Sequence, residues 1–163
     1  WLGLNLSTAF LASRVIGLFE GTIQQLVALA TLMPIVASIG GNTGNQTVAL
    51  VIRGLALEQI VASSLWVVVR KEIAIAGVNG LLWGSVVALA ALLFYGQPLL
   101  SLVMGLAVAG NLLIASLAGV FIPVALRQAG RDPVLGSSVL LTFVTDAMGF
   151  LLFLGLAAWL IVG

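Results

Sequence analysis

The feature that most restricts this chain is a polar, glycine-rich passage, Gly40-Gly-Asn-Thr-Gly-Asn-Gln46, set inside an oily run over residues 23–57. As one straight helix, that run would measure roughly 50 Å at 1.5 Å per residue, against a hydrocarbon core of about 30 Å. The run is therefore expected to bend, unwind or leave the membrane. Pro34 withholds a backbone donor, and Gly40, Gly41 and Gly44 tolerate conformations closed to other residues, so the passage predicts a broken helix. Non-helical backbone survives at membrane depth only where protein packs around it or water reaches it. Asn42, Thr43, Asn45 and Gln46 are accordingly expected to face water or another buried polar group.

Composition explains why a membrane is the right setting. The 163 residues are 62% hydrophobic and 7% charged, whereas soluble domains carry about a quarter charged residues. A net charge of +1 leaves no basic face for nucleic acid. Without cysteine there is no disulfide or thiolate chemistry, and without histidine no imidazole-bound metal or Ser/His/Asp relay. Any metal must then be held by oxygen. There is no nucleophile paired with a base, no phosphate-cradling loop and no zinc motif, so the chain is not read as an enzyme. It opens on Trp1 without a basic leader, which predicts no signal peptide and an excerpt of a longer protein.

The hydropathy pattern predicts an all-α membrane protein forming one transmembrane domain over residues 1–163, with five spans at 2–19, 23–57 (broken), 73–94, 99–126 and 135–161. Arg14 lies inside the first and is expected to snorkel or to pair with Glu20. Residues 58–69, with Gln59, Ser63, Ser64 and Trp66, read as an interfacial stretch, and Tyr95-Gly-Gln-Pro98 as a tight turn. Arg53, Arg70 and Lys71 follow the second span, and Arg127 and Arg131 follow the fourth. The positive-inside rule then places the N-terminus in the cytoplasm and the C-terminus outside a cell inner or plasma membrane. Small residues repeat every four positions in Gly105-Leu-Ala-Val-Ala109 and Ala115-Ser-Leu-Ala-Gly119, and Gly77, Gly80 and Gly84 make a similar narrow face; these predict close helix contacts.

One acidic residue stands out. Asp146 is central in the last span, where a charge costs about 2.5 to 3.5 kcal/mol on insertion scales. Ser138, Thr142, Thr145 or Asp146, and Gly149 recur at spacings of three and four, forming one polar, small helix face. Such a face suits a cation path, although a protonated Asp146 clasping a neighbouring helix is the plainer alternative. Asn111, midway along the fourth span, reads equally as a helix link or a pathway group. A single carboxylate holds a divalent ion poorly, but two chains meeting across a twofold axis would bring Asp146 and its copy together. Mg²⁺ fits this sparse inventory, because it keeps several waters and uses one or two carboxylates.

Gly40-Gly-Asn-Thr-Gly-Asn-Gln46, Leu50-Val-Ile-Arg-Gly-Leu-Ala56, Arg131-Asp-Pro133 and Thr145-Asp-Ala-Met-Gly149 together resemble the transmembrane domain of MgtE magnesium channels and the related animal magnesium solute carriers. The resemblance covers essentially the whole chain. It implies a homodimer in the lipid bilayer with its pore between the second and fifth helices of the two protomers. It also implies that Asp146 holds hydrated Mg²⁺ and that Gly41, Asn42, Gly44 and Asn45 border the ion path. Thr142, Ser138 and Asn111 enter as secondary candidates, and Asp132 as an acidic position that collects cations on the cytoplasmic side. Where some relatives carry Asn, Ser138 stands here, which weakens the case for a direct ligand at that point. The family commonly carries a cytoplasmic N-terminal domain and paired nucleotide-responsive modules, and nothing in these residues would fold into them. Conduction without that cytosolic brake is the expectation. A channel is the favoured reading, with an alternating-access carrier coupled to Na⁺ or H⁺ as the alternative.

Overall fold

The computed structural model describes residues 1–60 and 64–163. Among these, the helices in chain order are α1 (Leu2–Gly17), the short α2 (Glu20–Gln25), α3 (Ala28–Ala56), α4 (Leu65–Tyr95), α5 (Pro98–Gln128) and α6 (Pro133–Ala157). A π-helical turn, Ala158–Val162, extends α6. No strand occurs among the described residues. Helix is the form in which a lipid-embedded backbone satisfies its own donors and acceptors, so the all-α expectation holds.

The boundaries differ from the expected five spans in instructive ways. The GGNTGNQ passage does not break its helix: α3 runs without interruption through residues 40–46, and through Pro34 as well. The break lies upstream, where Leu26 adopts an extended φ of −138° and ψ of 85° between α2 and α3. Gly40 and Gly44 are spent on close packing instead of on a turn. A β-carbon on Gly44 would lie 2.7 Å from Leu141 Cδ1 of α6, and one on Gly40 would collide with the Asn111 amide of α5. With neighbours that close, continuing the helical hydrogen bonds costs less than exposing free amides.

The third span begins at Leu65 and not near residue 73, so Arg70, Lys71 and Glu72 lie within α4. Of the proposed interfacial stretch, Ser63 lies outside the described residues. Trp66 is 59% exposed on the first turn of α4, with the Arg70 guanidinium 5.8 Å above its ring. An exposed Trp and Arg on one helix end suits the headgroup level. Among the described residues three helices are long and apolar enough to cross a membrane: α4, α5 and α6 with its π turn. By contrast α1 has only 16 residues, and the polar passage lowers the hydropathy of α3.

α5 occupies the middle, packed by α4, α3 and α6, while α1 lies against α6. Leu29 and Val36 of α3, Met104 and Leu112 of α5, and Phe153 and Leu154 of α6 form one buried cluster. Val51 and Leu55, Val69 and Val120 form a second where α3, α4 and α5 meet. Lipid is as apolar as these side chains, so close fit, not exclusion of water, must hold the helices together. The glycine faces supply that fit. The added β-carbon at Gly84 of α4 would stand 2.8 Å from the Gly105 carbonyl oxygen of α5, and that at Gly80 3.3 Å from Ala109 Cβ. Gly77 has open space around it. Gly84→Val is therefore expected to cost about 1 to 3 kcal/mol by overpacking, seen as a lower melting temperature in detergent. Gly77→Val should leave melting nearly unchanged.

Candidate functional site

The polar residues singled out above converge on the seam between α3 and α6. The two helices run antiparallel, as successive contacts show. Ser138 Oγ donates to Asn45 Oδ1 at 3.0 Å, Leu141 fills the space over Gly44, and Thr145 Oγ1 lies 3.9 Å from the β-carbon position of Gly41. One turn further, Gly40 and Gly149 face the same Asn111 side chain. This register sets Asn42 and Asp146 on either side of the level of the 41/145 contact, about 3 Å apart along the helix axes at 1.5 Å per residue. By count that level is central, 13 residues into α6 and 14 into α3, about 20 Å from each helix start.

The seam has an inner and an outer side. Gly40, Gly44 and Thr47 of α3 and Leu141, Thr145 and Gly149 of α6 are buried against the bundle. On the outer side Ser38, Asn42 and Ser138 are exposed, and Asn45, Thr142 and Asp146 are partly so. The hydroxyls are tied to backbone: Thr142 Oγ1 donates to the Ser138 carbonyl at 2.9 Å, and Thr145 Oγ1 to the Leu141 carbonyl at 3.1 Å. Asn45 Nδ2 donates to the Gly41 carbonyl at 3.0 Å, and Asn42 Nδ2 reaches Ser38 Oγ at 3.4 Å. Side-chain amides and hydroxyls thus line a strip in which Asp146 is the one carboxylate among the described residues. A cavity of about 350 Å³, lined by Trp1, Leu2, Asn5, Ser138, Val139 and Thr142, opens at one end of the strip.

Two of the candidate residues are placed differently from the rest. Asp132 is the N-cap of α6, its Oδ1 accepting from the Val134 amide at 2.8 Å. Asn111 is fully buried in α5 and donates through Nδ2 to the Val36 carbonyl of α3 at 2.9 Å. Its Oδ1 has no partner among the described residues, a condition that costs about 1 to 3 kcal/mol for a buried acceptor. Gly41 and Gly44 contribute space, since their carbonyls belong to an intact helix.

Sequence reading missed a second buried polar contact. Glu72 of α4, 8% exposed, accepts a hydrogen bond from Thr47 Oγ1 of α3 at 2.9 Å, behind the seam. Thr47 also lies against Gly119 of α5. The signal available in the sequence is an acidic residue, Glu72, directly before the expected start of the third span at residue 73. Among the described residues no group of three or more acidic side chains could enclose a metal ion. Among the described residues the outer side of the seam therefore carries one carboxylate, that of Asp146, beside neutral amide and hydroxyl groups, a sparse set of the kind that leaves a Mg²⁺ ion most of its waters.

Fold and seam together describe a helical membrane protein with a polar strip near the middle of α3 and α6. Residues 33–156 match the model of the MgtE family, described as divalent cation transporter, and the chain belongs to that family. It is 33% identical over 99% of its length to the magnesium transporter MgtE of Thermus thermophilus. To the proteins of the same name from Bacillus subtilis and Enterococcus faecalis it is 31% and 27% identical over 96% of its length. It spans about a third of each of those relatives, at 36%, 35% and 34% of their lengths.

The capping geometry generates a direct check. Asp132→Ala should destabilise α6 by about 1 kcal/mol, read as faster amide hydrogen exchange in its first turn. Asp132→Asn, which preserves the acceptor, should restore the parental rate.

Proposed function

We propose that this chain is the membrane-spanning part of a magnesium transport protein, in which hydrated Mg²⁺ passes along the outer side of the α3/α6 seam. A second copy related by a twofold axis closes that open strip into a pore, and Asp146 of each protomer binds the ion. The observation that carries this reading is the exposure of Ser38, Asn42, Ser138 and, in part, Asp146 along one side of the α3/α6 seam, with Asn42 and Asp146 near the middle of their helices. Polar groups at that depth need water or a partner, and an aqueous path between two copies supplies both. The relatives named as magnesium transporters support the choice of ion.

The chemistry follows from charge and hydration. Mg²⁺ dehydrates reluctantly, so the amide and hydroxyl oxygens of Asn42, Asn45, Ser138 and Thr142 act on its bound waters. The paired carboxylates supply the attraction, since two like charges facing one another favour a cation between them. A negative interior draws the divalent ion inward by about 4.6 kcal/mol per 100 mV, twice the value for a single charge. A carrier coupled to Na⁺ or H⁺ would use the same Asp146 and move its gate by protonation of that residue or by an unwound second helix, and the uninterrupted α3 supports the channel reading against the second of these.

Asp146→Asn keeps the shape of the side chain and removes its charge. Mg²⁺ influx into proteoliposomes should fall tenfold or more, which corresponds to about 1.4 kcal/mol or more of lost stabilisation of the ion. Parental influx in that variant, with Mg²⁺ flux independent of any Na⁺ or H⁺ gradient, would remove Asp146 from its role while leaving the channel.

A further inference from the structure

We infer that Asn111 is a positioning residue that holds α3 and α6 in the register at which Asn45 meets Ser138 and Gly41 meets Thr145. The inference rests on the transport reading for its consequence, but its structural basis is independent of the ion. Asn111 is fully buried on α5, behind the seam and without access to the outer strip. Its amide lies between Gly40 of α3 and Gly149 of α6, and a β-carbon at Gly149 would come within 2.7 Å of Nδ2. Each of those glycines lies within one helical turn of a residue of the strip, Gly40 of Asn42 and Gly149 of Asp146.

The chemistry of the slot is asymmetric. Nδ2 donates to the Val36 carbonyl, an oxygen that is also the intrahelical acceptor one turn before Gly40, while Oδ1 is left without a partner among the described residues. A hydrophobic side chain with the same number of heavy atoms would fill the slot without stranding an acceptor, so stability alone does not select Asn here. What the amide adds is direction. A single donor fixed on one α3 carbonyl, held in a slot that admits no side chain from either flanking helix, specifies one longitudinal setting of α3 against α6. Leu or Val would permit neighbouring settings, in the way that one buried polar residue fixes register in paired helices.

The test uses Asn111→Leu and Asn111→Val in the full chain, each measured for melting temperature, Mg²⁺ influx into proteoliposomes, and cross-linking. For the last, Asn45→Cys and Ser138→Cys are introduced together; the chain has no cysteine of its own, so only this pair can form a disulfide under mild oxidation. The expected result is a melting temperature equal to or above the parental one, with cross-linking rate and Mg²⁺ influx each reduced roughly tenfold by the lost alignment. Val covers the case in which the bulkier Leu does not fold. Parental cross-linking in a folded variant overturns the inference, and so does a loss of influx that merely tracks a loss of melting temperature. If the parent itself carries no Mg²⁺ while the cross-linking rate falls as expected, the transport reading fails and the positioning role stands.

Discussion

Inside a bilayer a polar group has no water to fall back on, and the arrangement of α3 and α6 is an answer to that constraint. Asn45 is met by Ser138 across the seam, and Thr142 and Thr145 return their hydroxyls to the backbone of their own helix. Thr47 is matched with Glu72 behind. On the outer side Asn42 is exposed, with a longer contact of 3.4 Å to Ser38 Oγ, and Asp146 is half-buried. Exposed polar groups of this kind are stable at membrane depth only beside water or further protein.

Much of the architecture was legible because lipid leaves few choices. Runs of 20 to 30 apolar residues had to be helices, and the four-residue spacing of Gly80, Gly84, Gly105 and Ala109 anticipated the contact between α4 and α5. The expected face of Ser138, Thr142, Thr145 or Asp146, and Gly149 is divided in the structure: Ser138, Thr142 and Asp146 lie on the outer side, while Thr145 and Gly149 are buried against the bundle. The GGNTGNQ passage was misread because glycine has two uses that look alike in sequence, a turn and a close approach. Only the positions of Asn111, Leu141 and Thr145 relative to α3 show that the second applies here. Segment ends were harder for a related reason: charged residues such as Arg70 and Glu72 can flank a helix or sit within its first turns, and hydropathy does not distinguish these.

The two unusual buried polar residues explain how an otherwise apolar bundle can keep its working helices aligned. Packing among Leu29, Met104 and Phe153 resists separation but says little about sliding, since one apolar ridge fits a neighbouring groove about as well as the next. Asn111 to Val36 and Glu72 to Thr47 are directional contacts to α3 from α5 and α4. Both act on the helix whose polar face borders the proposed path, and the first touches α6 as well through Gly149. On this account stability resides in the glycine-lined contacts of α5, and alignment in a few buried hydrogen bonds.

The central claim is that the outer side of the α3/α6 seam meets water at mid-membrane. Thiol accessibility tests it directly: Asn42→Cys in the bilayer, treated with a membrane-impermeant thiol reagent, against Leu81→Cys on the exposed apolar face of α4. The account predicts that Cys at position 42 is modified and that added Mg²⁺ slows the reaction, while position 81 stays unmodified. An unreactive position 42, or one whose rate Mg²⁺ does not change, would contradict it.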